Sequence, residues 1–235
     1  MPLENGKEMA SMLKATLRSL VLLLAAGAAM PLAAAPAAAP PPPAAPRQAV
    51  VLHDLGKTDL AALRRDFNAA AGNVRMLLIL SPSCPGCQAG SRDVQVKLLE
   101  KIDFAQLRVF VVWFPLLDAD SRAVAERSAA AFDDPRVTQY WAADWTLGNL
   151  YGKVLPFPKD YKYRVAVDVY LIFDEKQDWG AEVPRPAAFM HRLGDDERLF
   201  DAGKLYAMLE GQIHAAVARG ACSCNVPPSQ PGDHR

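Results

Sequence analysis

Charge of one sign is missing from this chain: 26 Lys and Arg balance 26 Asp and Glu over 235 residues. No bulk field draws it to nucleic acid or to an anionic membrane, so nucleic-acid binding is disfavoured from the outset. Internal repeats are lacking, as are a Gly-rich phosphate loop, a Ser-His-Asp arrangement and a metalloprotease motif. Apolar runs of membrane-spanning length are lacking too. The strongest, Leu20 to Ala29, falls short of the roughly 20 residues a span needs. Cysteine is scarce, yet the four cysteines stand in two close pairs, Cys84/Cys87 and Cys222/Cys224. The length allows one domain of moderate size with appendages.

The appendages come first. Lys7, Lys14 and Arg18 precede the apolar run, and small residues follow it. That layout predicts a secretory targeting segment over 1–35, with cleavage after Ala26-Gly27-Ala28 or Ala35-Pro36-Ala37. An uncleaved membrane anchor is the alternative. No lipobox cysteine accompanies it. Residues 36–48 are rich in Ala and Pro, with Pro40 to Pro43 consecutive, and read as an extended spacer. The expected location is periplasmic or secreted.

From residue 49 the pattern becomes globular, over 49–219. Ala49 to Leu52 is a strand candidate. Thr58 is placed to cap a helix carrying Leu60, Leu63 and Phe67 on one face, with Gly72 at its end. Met76 to Leu80 is a short buried strand, and Gln88 to Ile102 puts Val94, Leu98 and Ile102 on one helical face. Leu107 to Phe114 is a second interior strand. Between 120 and 156 the spacing predicts a helical insertion: Asp120 caps a helix through Phe132, and Val137 to Leu155 continues as helix with core-packing aromatics. Val165 to Phe173 and Ala187 to Leu193 follow as an antiparallel pair at the sheet edge. Asp201 opens a last helix, closed by Gly220. Strand alternating with helix implies parallel pairing with helices on both faces.

Cys84-Pro85-Gly86-Cys87 falls where the central strand hands over to a helix. Free N–H groups and the helix dipole there favour a Cys84 thiolate. Pro85 suits the first helical position, where its missing N–H costs nothing. The chemistry expected of this spacing is thiol–disulfide exchange: Cys84 attacks a disulfide and Cys87, one turn in, resolves the mixed disulfide. An inert disulfide pinning the helix start is the bland alternative.

Strand, Cys-x-x-Cys and helix together resemble the active-site unit of the thioredoxin superfamily. Proline second in the motif is closer to the glutaredoxin and periplasmic disulfide-oxidase variants than to thioredoxin's own Cys-Gly-Pro-Cys. The resemblance covers Ala49 to about Arg219. It implies an α/β thioredoxin-like fold: a mixed central sheet of about five strands flanked by helices, with the insertion between the third and fourth. It also implies no cofactor, protein thiols and disulfides as partners (with a membrane or soluble redox partner), and a monomer. The chain departs from the family at three points. Asp168 stands where a cis-proline is expected before the fourth strand, and its charge, if it faces the dithiol, would raise the Cys84 pKa. No carboxylate lies within Met76 to Leu80, where thioredoxins keep a buried acid. Pro82 and Ser83 replace the aromatic residue usual before the first cysteine. His53 and His191 are nominal general bases only, and the spacing of a peroxiredoxin is absent.

Cys222-Ser223-Cys224 precedes a proline-rich tail within 220–235, and three readings of it stand open. It is a strained disulfide relaying electrons to Cys84 and Cys87 as a second redox pair. It ligates copper, zinc or mercury, alone or with His214 or His234. Or one member pairs elsewhere as a staple. For the whole chain, the leading expectation is an exported oxidoreductase. The alternatives are a soft-metal carrier using Cys84/Cys87 and a non-catalytic thioredoxin-fold binding module.

Overall fold

A computed structural model describes residues 51–221. The expected targeting segment and spacer, the pair Cys222/Cys224 and His234 lie outside the described residues. A six-stranded mixed sheet forms the core, in the order β1-β4-β3-β2-β5-β6. Its strands are β1 (Leu52–Leu55), β2 (Val74–Leu80), β3 (Leu107–Trp113), β4 (Val137–Ala142), β5 (Val169–Phe173) and β6 (Ala188–His191). Pairing is parallel from β1 through β4 and β3 to β2, then antiparallel from β2 to β5 and β5 to β6. The expected edge hairpin is present.

Every residue of β2 and β5 is buried. Strands covered on both faces need continuous apolar runs, and these two have them. Arg75 is the exception on β2. Its two terminal nitrogens donate to the carbonyls of Phe67 and Asp174, and its guanidinium lies 4.3 Å over the Phe67 ring. A buried cation is tolerable where its donors meet carbonyls in this way.

Helices pack on the sheet as α1 (Ala61–Ala69), α2 (Pro85–Asp93), α3 (Arg122–Ala129), α4 (Thr146–Val154) and α5 (Ala202–Ala218). Helix α2 runs on into a π-helical turn over Val94–Leu99, which buries Val94, Gln95, Leu98 and Leu99. No helix among the described residues is long and apolar enough to cross a membrane.

Several sequence expectations need correction. Among the described residues the first strand runs from Leu52 to Leu55, where the expected one ends at Leu52, and it pairs with β4 alone. Thr58 caps nothing: its φ is +54°, and Asp59 Oδ1 accepts from the Ala61 N–H instead. Residues 137–142 form a strand, not a helix, which makes the sheet six-stranded. Val-Thr-Gln-Tyr-Trp is β-branched and aromatic, and two neighbouring strands satisfy its backbone. The insertion is therefore helix, strand, helix. The fourth expected strand begins only at Val169, because Asp168 (φ +51°) interrupts extended backbone. Asp120 does not cap a helix. Ser121 does so, accepting from the Val124 N–H at 3.3 Å.

Candidate active site

The dithiol sits at the C-terminal end of β2, in the middle of the sheet. Cys84 is the N-cap residue of α2 and Pro85 its first residue, as the sequence leads one to expect. Cys84 is half-buried and Cys87 fully buried. Both are free thiols here.

Asp120, in the loop before α3, fixes the turn that leads into the pair. Its Oδ2 accepts from Ser81 Oγ (2.7 Å) and from the Leu116 and Leu117 N–H groups (2.8 Å each); its Oδ1 accepts from the Ser83 N–H at 2.8 Å. Burial alone would raise its carboxyl, but these donors outweigh that effect and hold it below the usual carboxylate range. The Pro82 carbonyl is gripped as well, by Gln88 Nε2 and Ser128 Oγ at 2.8 Å each. The approach to Cys84 is thus held by side chains from three different segments.

The two sulfurs are electrostatically unequal. A hydrogen bond from the Cys87 thiol to the Cys84 sulfur is the largest influence. It outweighs burial and the nearby Asp168 charge, and with backbone donors it lowers the Cys84 pKa to about 6. The same interaction, with burial, drives the Cys87 thiol strongly upward. The Ser81 N–H points at Cys87 Sγ from 3.4 Å. Cys84 is therefore largely thiolate at neutral pH, while Cys87 keeps its proton.

Asp168 does face the dithiol. It is 5% exposed, and one of its carboxylate oxygens lies within 4.8 Å of both sulfurs, as they do of each other. Burial raises its carboxyl, and Tyr170 and Arg192 only partly offset this. Tyr170 on β5, two residues on, donates to Asp168 Oδ1 at 2.6 Å. Arg192 Nη1 lies 3.9 Å from that oxygen and donates to the Gly86 carbonyl. Glycine at 86 and 90 makes this docking possible. A Cβ at Gly86 would sit 2.7 Å from Asp168 Oδ2, and one at Gly90 only 1.7 Å from the Tyr170 oxygen. No cis peptide bond occurs among the described residues.

Of the sequence candidates, the structure brings Cys84, Pro85, Gly86, Cys87 and Asp168 together. It brings neither His53 nor His214 in, while His191, buried on β6 opposite Val169, lies close enough to Asp168 to act on its charge. His53 is exposed on β1, and His214 is exposed on α5. His191 Nδ1 accepts from the Leu193 N–H, and its Nε2 lies 3.3 Å from Asp196. Sequence reasoning missed Tyr170, Arg192 and the clamp formed by Asp120. Two glycines four apart on a helix were the available signal for the first, since that spacing marks one bare helical face.

The strand order, the antiparallel β5–β6 edge and a Cys-x-x-Cys at the mouth of the helix after the central strand define a thioredoxin-like fold. No protein-family model matches the chain, and no curated protein matches it. Among solved structures, one similar chain is a secreted disulfide oxidoreductase of Mycobacterium tuberculosis homologous to E. coli DsbE. It is 8% identical, with 61% of this chain and 84% of that one covered and a TM-score of 0.39. Another is dsbF of the same organism, 13% identical over 62% and 84% of the two chains, with a TM-score of 0.37.

Proposed function

We propose that this protein is a thiol–disulfide oxidoreductase acting on protein thiols and disulfides through Cys84 and Cys87. One observation carries the reading: a half-exposed Cys84 with its pKa lowered to about 6 stands directly against a fully buried, protonated Cys87. That asymmetry is what a two-step exchange requires. Cys84 attacks as thiolate, forming a mixed disulfide and releasing one substrate thiolate. Cys87 then gives up its proton and attacks Cys84 Sγ, so that the second substrate sulfur leaves with the electron pair and the Cys84–Cys87 disulfide remains.

Direction follows from the same asymmetry. Stabilising the thiolate stabilises the reduced protein, which makes the disulfide the stronger oxidant. The net flow we infer is therefore those steps in reverse, oxidising substrate dithiols. A substrate thiolate attacks Cys84 Sγ of the disulfide, and Cys87 leaves with the electron pair and takes a proton. The second substrate thiolate then displaces Cys84 as thiolate, after which a separate redox partner accepts the electron pair and restores the disulfide. The targeting pattern over 1–35 supports a periplasmic or secreted location, where such chemistry is needed. A monomer suffices, because both sulfurs come from one chain.

Oxidation of reduced ribonuclease, compared with reduction of insulin, tests the proposal. The parent protein should favour the first assay, and Cys84→Ser should abolish both. A Cys84→Ser variant that retains exchange, or a parent inert in both assays, sinks the reading.

A further inference from the structure

We propose that reduced Cys84 and Cys87, together with Asp168, form a binding site for a thiophilic divalent cation of the zinc type. The site stands whether or not the dithiol also exchanges disulfides. Two sulfurs and a carboxylate oxygen, all within 4.8 Å of one another, are a borderline-soft donor set. Zinc–sulfur and zinc–oxygen bonds of about 2.0–2.3 Å put tetrahedral ligands roughly 3.4–3.8 Å apart. From separations of at most 4.8 Å, reaching that spacing asks about 1–1.4 Å of closure at most. Solvent or a guest ligand completing the shell would reach the ion past Cys84, which is half-exposed.

Three features single out Asp168 as a ligand rather than a stray buried acid. Tyr170 occupies Oδ1, so Oδ2 is the oxygen turned over Gly86; a Cβ there would meet Oδ2 at 2.7 Å and Cys84 Sγ at 3.7 Å. Ligating carboxylates are oriented in this way by an outer hydrogen bond. Second, the left-handed backbone at Asp168 (φ +51°) is a strained arrangement of the kind concentrated at working sites, and Asp tolerates it better than most residues. Third, the charges close. Two thiolates and one carboxylate carry three negative charges, which a divalent cation and the Arg192 guanidinium, 3.9 Å from Oδ1, would balance. Without the cation, three such anions together away from water would be costly, and Cys87 holds its proton instead. Binding displaces the remaining thiol protons, so metal uptake releases acid and oxidises nothing.

The test uses the full chain with Cys222→Ser and Cys224→Ser, so that the tail cannot contribute ligands. The protein is reduced and kept free of oxygen. Zn²⁺ is titrated against a chromophoric chelator, and Co²⁺ is added in a parallel sample to report thiolate coordination by its charge-transfer absorption. Stoichiometric binding with that absorption is expected, and loss of binding after oxidation to the disulfide. Asp168→Asn, checked for folding by circular dichroism, should weaken Zn²⁺ by more than Tyr170→Phe, for which about 10–100-fold is expected. Substoichiometric Zn²⁺, Zn²⁺ retained by the oxidised protein, or an Asp168→Asn variant as tight as its parent would overturn the site. Insulin and ribonuclease assays on the same samples report exchange separately, so failure of one claim is not failure of the other.

Discussion

Asp120 and Asp168 both serve the dithiol, but in opposite circumstances. Asp120 accepts four hydrogen bonds and is held below the usual carboxylate range. Asp168 has one short bond from Tyr170 and a guanidinium 3.9 Å away, and burial lifts it above that range. The first is a carboxylate whose demands are met, and it fixes a loop. The second bears a burial penalty beside two sulfurs that Tyr170, Arg192 and Cys87 only partly offset, which is the mark of a group kept for something other than stability.

The comparison breaks most visibly at Asp120. Asp120→Ala leaves several inward-facing donors unpaired and should cost about 3 kcal/mol in urea unfolding. A cost below about 1 kcal/mol would mean that the loop does not depend on it. Next in size is Gly90→Ala, whose added carbon overlaps the Tyr170 hydroxyl. Forcing Tyr170 aside should cost about 1–3 kcal/mol, together with a loss of order around Asp168 visible by NMR. Asp168→Asn keeps an acceptor for Tyr170 and removes a buried charge, so its stability at neutral pH should stay within about 1 kcal/mol of the parent or rise. Its signature is chemical: the midpoint of Cys84 alkylation, expected near pH 6 in the parent, should move lower once the Asp168 charge is gone.

Acid titration separates the two carboxylates by sign. A carboxyl lowered by folding contributes stability that is full above its unfolded pKa and is lost as pH falls through the folded value. That is Asp120. A carboxyl raised by folding works the other way, so stability increases as pH falls through its folded value. That is Asp168. Unfolding free energies measured from neutral to strongly acid pH should show a small gain that Asp168→Asn abolishes, then a steeper loss that Asp120→Asn diminishes.

Much of this was legible in the sequence. The buried runs of β2, β3 and β5, the edge hairpin and the placement of Cys84 at a helix mouth follow from local patterns, because covered strands are uniformly apolar and prolines mark helix starts. Strand β4 was not legible: Tyr140, Trp141 and Trp145 recur at helix-like intervals, and only pairing with β3 and β1 decides for extended backbone. Asp120 precedes a helix by two residues and reads as its cap; two of the four donors it serves, at Ser81 and Ser83, lie in a loop nearly forty residues earlier. Asp168 is visible as a departure from the pattern the dithiol resembles, but its partner Tyr170 reads only as one more residue of an apolar strand. Long-range docking of that kind leaves no periodic trace.

The bare face made by Gly86 and Gly90 has one more consequence. Gly90 weakens its interior helical position by about 1 kcal/mol relative to alanine, and Gly86 stands in the first turn, so the opening turns of α2 have little reason to stay wound by themselves. Their order is lent by β5 and by Arg192, through Tyr170 on Asp168 and the Arg192 hydrogen bond to the Gly86 carbonyl. Amide protons of Gln88 to Arg92 should accordingly exchange with solvent faster than those of the buried strand just before them, and at a rate that tracks what Asp168 is holding.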